Sequence, residues 1–85
     1  MTSDELKENW QKYGVESNGK ITPLCEVVMI CWGYAYPDVP DALLFDVGGP
    51  QGGAAYLLRP DGDNLISINP ANPSETTVLG KLVTI

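Results

Sequence analysis

The stretch that decides the fold runs from Asp41 to Asn69 and reads DALLFDV, GGPQGG, AAYLLR, PDGD and NLISIN. It contains three short apolar runs, which are separated by a segment with four glycines and by an Asp-Gly pair. Such segments between strand-forming runs are typical of β-hairpin connections. The stretch therefore predicts an antiparallel meander of three strands, on which we expect the rest of the chain to pack.

Alternation along the three runs predicts which side chains share a face of the sheet, because successive side chains of a strand point to opposite faces. The residues predicted to face the core are Leu43, Phe45, Val47, Tyr56, Leu58, Ile66 and Ile68. Their neighbours Leu44, Leu57 and Leu65 are also apolar. We therefore expect the second face to be partly covered, either by an N-terminal helix or by a partner.

The N-terminal residues 3–13, SDELKENWQKY, predict a helix. Ser3 is a natural N-cap residue, and the acidic residues that follow it suit the positive end of a helix dipole. Leu6, Trp10 and Tyr13 recur at helical spacing and form one apolar stripe. Gly14 is predicted to end the helix in a left-handed conformation.

Residues 24–36, LCEVVMICWGYAY, fit two kinds of element. Their β-branched and aromatic side chains favour a strand, whereas the preceding Thr22-Pro23 pair suits the start of a buried helix. We favour the strand. Just upstream, Asn18-Gly19 is a strong signal for a two-residue hairpin turn.

Two proline-containing segments, residues 37–40 and 70–75, are predicted to be loops, because proline lacks the amide proton that a central strand needs. Residues 77–85 alternate again and predict a final edge strand. The 85 residues are enough for one domain, residues 1–85. The predicted fold class is α+β, with an N-terminal helix packed on a four- or five-stranded, mainly antiparallel sheet that contains the meander.

The charge of the chain excludes some partners. Eleven acidic and five basic residues give a formal net charge of −6 at pH 7. Nucleic-acid binding requires Lys and Arg to neutralise phosphates, and anionic membranes repel the same negative charge. We therefore expect no nucleic acid and no membrane as a partner, whereas a basic protein surface would be attracted.

Cys25 and Cys31 are too far apart in sequence to pair within one regular element. Their separation is about 20 Å in a strand and about 9 Å in a helix, against the roughly 4.4–6.8 Å that a disulfide spans. We expect two buried, reduced thiols and a cytoplasmic location. The first residues, MTSDELKENW, do not have the pattern of a signal peptide.

The absence of histidine argues against most catalytic and metal sites. It removes the commonest general base, the nucleophile pairs that depend on histidine, and most zinc and haem arrangements. The PDGDN segment at residues 60–64 lacks the full spacing of a calcium loop. We therefore expect no catalytic residue, no cofactor and no metal, and we predict that the protein is not an enzyme.

Three groups of residues are candidates for binding a partner. The glycine-rich loop has more glycines than a tight turn needs. Trp32, Tyr34 and Tyr36 would share one face of a strand, where they either pack in the core or form an exposed patch of the kind enriched in interface hot spots. Asp38 and Asp41 flank a proline-containing loop. The loop residues are Gly48, Gly49, Gln51, Gly52 and Gly53.

These features favour a non-catalytic protein-interaction module, of the inhibitor, immunity or accessory type, that acts on a larger and more basic protein partner. In size, charge and predicted architecture the chain is similar to small bacterial immunity and inhibitor proteins. That similarity implies a bacterial or phage origin and assigns no residue.

Two other functions stay open. One is a structural subunit or homo-oligomer that assembles through the edge strand of residues 77–85 or through the aromatic face. The other is a small-ligand binder or enzyme that uses Asp38, Asp41 and Asp46 together with the glycine-rich loop.

Overall fold

A computed structural model describes residues 1–47 and 55–85. The described chain has two short helices, a 3-10 turn at Trp10–Lys12 and an antiparallel sheet. The helices are α1 (Ser3–Asn9) and α2 (Leu24–Val27). The strands are β1 (Tyr13–Ser17), β2 (Lys20–Pro23), β3 (Ile30–Tyr36), β4 (Val39–Asp46), β5 (Ala55–Asp61), β6 (Asn64–Asn69) and β7 (Asn72–Thr84).

The predicted combination of an N-terminal helix with an antiparallel sheet is confirmed, but the sheet is larger than predicted. It has seven strands in the order β2-β1-β7-β6-β5-β4-β3, where four or five were expected. Every neighbouring pair is antiparallel. The two extra strands are β1 and β2, which form the hairpin at Asn18-Gly19.

The sheet is curved, because residues 24–29 connect its two edges. In a flat seven-stranded sheet the edge strands would lie about 29 Å apart, at about 4.8 Å per neighbouring pair. The chain from Pro23 to Ile30 spans at most about 24 Å when extended, and part of it is helical. The sheet therefore curls toward α2, which packs against β1 and β2. Leu24 of α2 and the adjacent Val28 are buried.

The meander has the predicted order of strands. Strand β4 pairs with β5 and β5 pairs with β6, with Leu43 opposite Leu58 and Leu57 opposite Ile68. The helix-side core contains Leu6, Leu24, Val28, Leu43, Phe45, Leu58, Leu65 and Leu82. A second cluster contains Val39, Ala42, Leu57 and Ile68. Both faces of the sheet are therefore partly buried.

The predicted facing of β6 is wrong. Leu65 lies in the helix-side core and Ile68 lies in the second cluster. The register explains the difference: Ser67 lies directly opposite Leu58, so Ser67 and Leu65 share the face of Leu58. The prediction placed Ile66 and Ile68 on the core face from alternation within the strand alone, without the register between β6 and β5.

The β5–β6 turn consists of Gly62 and Asp63. Among the described residues of this turn only Gly62 has a positive φ, of 59°. This turn is therefore not of type I′, which needs positive φ at both central residues. The β1–β2 turn does match its prediction, because Asn18 and Gly19 both have positive φ.

The first helix begins at Ser3, as predicted, but it ends sooner, at Asn9. Thr2, not Ser3, is the N-cap, and its hydroxyl accepts a hydrogen bond from the amide of Glu5. Ser3 is instead buried, and its hydroxyl donates to the carbonyl of Asp41. Gly14 is not a left-handed cap, because it already lies in β1.

Residues 24–36, which fit either a strand or a helix by sequence, contain one of each. Residues 24–27 form α2 and residues 30–36 form β3, so the strand prediction is right for the second half only. Cys25 is exposed and Cys31 half-buried, so the prediction of two buried thiols is wrong, although both thiols are free.

Both proline-containing segments begin with a two-residue turn and continue as strand, so the loop prediction is wrong for residues 39–40 and 72–75. Pro37 and Asp38 form a two-residue turn, and Val39 and Pro40 already belong to β4. Pro70 and Ala71 form another turn, after which β7 begins. Pro40 and Pro73, the prolines of these two segments that enter a strand, are each the second residue of that strand. A missing amide proton is tolerated near the start of a strand.

Strand β7 is longer than predicted and is not a simple edge strand. Its residues 81–84 pair with β1, whereas β6 lies along its other side. Gly80 lies beside β1, where an added Cβ would come 2.4 Å from the carbonyl oxygen of Glu16. Only glycine permits this close approach of two backbones.

Candidate protein-interaction surface

Strand β3 is an edge strand with large exposed side chains. Trp32, Tyr34 and Tyr36, called here the aromatic edge, are 65%, 49% and 52% exposed. Ile30 on the same strand is 41% exposed. The core-packing interpretation of the three aromatic residues is therefore wrong, and the exposed-patch interpretation agrees with the structure.

A β-bulge at Trp32 interrupts the alternation along β3. Cys31 pairs with Phe45 and Tyr34 pairs with Leu43, although Cys31 and Tyr34 are three residues apart. Phe45 and Leu43 both belong to the helix-side core, so Cys31 and Tyr34 face the same side. The single face predicted for the aromatic edge assumed a regular strand, and a bulge redirects side chains.

Gly33 makes the bulge conformationally accessible. Its φ of 111° lies in a region that residues with a Cβ rarely adopt. Its amide also donates a hydrogen bond to the sulfur of Cys31, which lowers the pKa of that thiol. Burial has the larger effect and leaves the pKa of Cys31 above its ordinary value.

The other free edges carry residues that discourage pairing. Strand β2 is only four residues long and contains Lys20 and Pro23. The first half of β7, which lies beyond the residues paired with β1, contains Pro73 and Glu75. Short length, Pro and charge are common ways to protect an edge. Strand β3 has no charged residue and no proline between Ile30 and Tyr36.

Tyr34 connects the aromatic edge to α1. Its hydroxyl donates a 2.5 Å hydrogen bond to Asp4 Oδ1. This bond, with the nearby charges of Asp4 and Asp41, raises the pKa of Tyr34 to about 12. On the ring face, Lys7 Nζ lies 5.4 Å from the centroid, a cation–π contact.

A polar depression of about 280 Å³ adjoins Tyr34. It is lined by Met1, Thr2, Ser3, Asp4, Tyr34, Asp41, Arg59 and Pro60. Asp41 has a φ of 60° and accepts the Ser3 hydrogen bond through its carbonyl. Within the described residues Asp41 and Arg59 form no ion pair, although both line the depression.

The three aspartates of the small-ligand hypothesis do not form one group. Asp41 lines the depression, Asp38 lies in the β3–β4 turn, and Asp46 lies at the far end of β4 opposite Ile30. Residues 1–47 and 55–85 contain no group of three or more His, Cys, Asp or Glu side chains suited to hold a metal.

The predicted glycine-rich loop residues Gly48, Gly49, Gln51, Gly52 and Gly53 lie outside the described residues. Asp4, Lys7 and Arg59 belong to the site but were not predicted. No local pattern marks them, because α1 reaches β3 and β4 only through contacts between residues distant in sequence.

A second cavity, of about 220 Å³, is apolar. It lies beside α2 and is lined by Val27, Tyr56, Leu58, Ser67 and Leu79. Leu58 and Ser67 lie opposite each other on β5 and β6, so the cavity opens on the helix side of the sheet.

Comparisons with protein-family models, with curated proteins and with solved structures find no match for this chain. In the described part of the chain, no helix has the length and apolar character needed to span a membrane.

Proposed function

We propose that this protein is a non-catalytic protein-interaction module that binds a larger protein partner through the aromatic edge. The observation that carries the proposal is the exposure of Trp32, Tyr34 and Tyr36 on an edge strand that lacks charged and proline residues. In the proposed role these side chains become buried against the partner.

The energetics of aromatic side chains support this role. Trp and Tyr are enriched among interface hot spots, where truncating one residue costs about 2 kcal/mol or more. Tyr34 is already held by Asp4 and Lys7, so little of its side-chain freedom remains to be lost on binding. A preorganised aromatic side chain is suited to binding a partner tightly.

The bulge in β3 favours binding through side chains rather than open-ended strand pairing. Register shifts occur on both sides of the pair Tyr34–Leu43. Such irregularities are a common protection against edge-to-edge aggregation. They leave the aromatic side chains accessible to a partner of matching shape.

The proposal extends to the class and location of the protein. Small size, a net charge of −6 and free thiols support an inhibitor, immunity-type or accessory protein of bacterial or phage origin that acts in the cytoplasm. The negative charge supports a basic protein surface as the partner.

A homo-oligomer is the second candidate, favoured by the free edge of β3. Assembly through residues 77–85 as an edge strand is no longer part of it, because residues 81–84 already pair with β1. Sedimentation velocity separates the two candidates: a strict monomer at high concentration and moderate salt contradicts the homo-oligomer.

The test uses the full chain as bait in lysate of the source cells, followed by mass spectrometry. We expect one stoichiometric partner that wild type retains and that Trp32→Ala loses. Val78→Ala is the matched control, because Val78 is 62% exposed on β7. Equal capture by Trp32→Ala, or no partner at low salt, contradicts the proposed function.

A further inference from the structure

We infer that the aromatic edge, together with the carboxylates around it, recognises arginine or lysine side chains of a basic segment of the partner. This inference rests on the proposed function and specifies the chemistry of the partner. It requires ring faces that accept a cation and a local excess of negative charge, and both features are present at β3.

The Tyr34 ring already accepts a cation. Lys7 Nζ lies 5.4 Å from its centroid, within the distance at which the ring quadrupole attracts a positive charge. Asp4 accepts the hydrogen bond of the same tyrosine's hydroxyl. The chain therefore already contains one cation–π contact of the kind that we propose between the aromatic edge and the partner.

Three carboxylates lie close to the tyrosines of the aromatic edge. Asp4 and Asp41 both act on the pKa of Tyr34, which places their negative charge near its hydroxyl. Asp38 lies two residues after Tyr36, in the turn between β3 and β4. All three acids are exposed and therefore accessible to a partner.

Two basic residues of this chain oppose that charge. Lys7 lies over Tyr34, and Arg59 is half-buried in the wall of the polar depression. Arg59 makes the depression unfavourable for a second cation. The partner's cation is therefore directed to the outer rings of Trp32 and Tyr36, over which the described part of the chain places no cation.

Arginine fits these rings better than lysine does. Its planar guanidinium stacks on aromatic faces, is more weakly hydrated than an ammonium and forms paired hydrogen bonds with a carboxylate. A basic segment of the partner would place guanidinium groups over the rings and extend them toward Asp38 and its neighbours.

The test uses two capped peptides, Gly-Arg-Gly-Arg-Gly and the same sequence with citrulline in place of arginine. Citrulline keeps the shape and loses the charge. We follow the indole N–H signals of Trp32 and Trp10 by NMR, with half-buried Trp10 as the internal control. The arginine peptide is expected to shift Trp32 and to bind about two- to fivefold more tightly than the citrulline peptide.

A pair of charge variants separates ring recognition from general attraction. Lys7→Gln removes the cation that competes at Tyr34, and Lys20→Gln makes the same change of net charge at the opposite edge of the sheet. We expect Lys7→Gln to tighten binding of the arginine peptide by about two- to fivefold. Lys20→Gln should change it less than about twofold, because the cation–π contact at Tyr34 involves Lys7 and not Lys20.

Any one of three results overturns the inference. The arginine and citrulline peptides bind with equal affinity, or Lys7→Gln and Lys20→Gln change the affinity for the arginine peptide equally. In the third, the NMR shifts spread over all acidic residues without a preference for Trp32. Trp32→Leu, which keeps an apolar side chain, provides a further check and should lose the arginine preference. If the inference fails while Trp32→Ala still abolishes capture of the partner, the proposed function stands without cation recognition.

Discussion

The hydroxyl of Tyr34 donates a 2.5 Å hydrogen bond to Asp4 Oδ1, which joins an exposed edge strand to the first turn of α1. The two residues are thirty positions apart, so the bond fixes the helix relative to β3. Lys7, one turn further along α1, lies over the ring of the same tyrosine. The aromatic edge is therefore oriented by the helix as well as by its own strand.

The ionisation of Tyr34 tests this hydrogen bond. Its pKa is raised to about 12, chiefly because the bond to Asp4 favours the protonated hydroxyl. Asp4→Ala should therefore lower the pKa of Tyr34 toward the ordinary value of about 10. The measurement is the difference in ultraviolet absorbance titration between each protein and its Tyr34→Phe counterpart. Glu8→Ala removes another exposed acid of α1 and should leave the curve unchanged.

The raised pKa of Tyr34 predicts that the protein loses stability at high pH. Because the pKa of folded Tyr34 lies above the unfolded value, its contribution is fully present below about pH 10. It is lost as the pH rises from about 10 to about 12. We measure the free energy of unfolding of wild type and Tyr34→Phe in urea at pH 8 and at pH 11. The difference between the two proteins should be smaller at pH 11. If wild type and Tyr34→Phe differ in free energy of unfolding by the same amount at both pH values, the hydrogen bond does not stabilise the fold as proposed.

Gly80 is expected to be the least replaceable glycine of the described chain. A Cβ there would lie 2.4 Å from Glu16 O and 2.6 Å from Val15 Cγ1, so Gly80→Ala forces β1 and β7 apart. We expect a loss of about 2–4 kcal/mol in the free energy of unfolding, from overpacking and backbone strain together. Gly19→Ala is the control, because Gly19 has positive φ but no atom near its Cβ position. If Gly80→Ala lowers the free energy of unfolding no more than Gly19→Ala does, β1 and β7 do not approach as closely at Gly80 as described.

Phe45 is the largest fully buried side chain and packs against Trp10 in an edge-to-face arrangement at 6.1 Å. Phe45→Ala should lower the free energy of unfolding by about 3–5 kcal/mol, through lost apolar contact and the cavity left behind. Tyr56→Ala is the matched control, because Tyr56 lies opposite Phe45 on β5 but is exposed. Tyr56→Ala should lower the free energy of unfolding by about 1 kcal/mol or less. Similar costs for the two variants would mean that Phe45 is not central to the core.

Local signals in the sequence predicted the parts of the fold that local interactions determine. The meander followed from alternation between turns, and the β1–β2 turn followed from Asn18-Gly19, whose residues both adopt positive φ. The helical stripe was also correct in part, because Leu6 is buried and Trp10 and Tyr13 pack against the core. These features depend on residues that are close together in the chain.

Features that depend on distant residues were missed. Pro40 and Pro73 suggested loops, but each lies near the first residue of a strand, where the neighbouring strand tolerates it. The facing of Leu65 was determined by its register with β5. The Tyr34–Asp4 bond and the polar depression require α1 to reach β3 and β4, a contact that no sequence spacing indicates.

The two cysteines should differ in reactivity, because α2 exposes one and the bulge partly buries the other. Cys25 is exposed, whereas burial raises the pKa of the Cys31 thiol and lowers its thiolate fraction. At pH 8 an aromatic disulfide reagent should react with the native protein in two phases, with Cys31 on the order of tenfold slower. Cys25→Ser should leave only the slow phase, and Cys31→Ser only the fast one.

Denaturation identifies the cause of this difference in reactivity. In strong urea the burial of Cys31 is lost, so the two thiols should react at similar rates. If Cys31 stays slow in urea, its neighbours in sequence and not the fold reduce its reactivity. If Cys31 is the faster thiol in the native protein, the opposing effects of the Gly33 amide and Lys7 exceed that of burial.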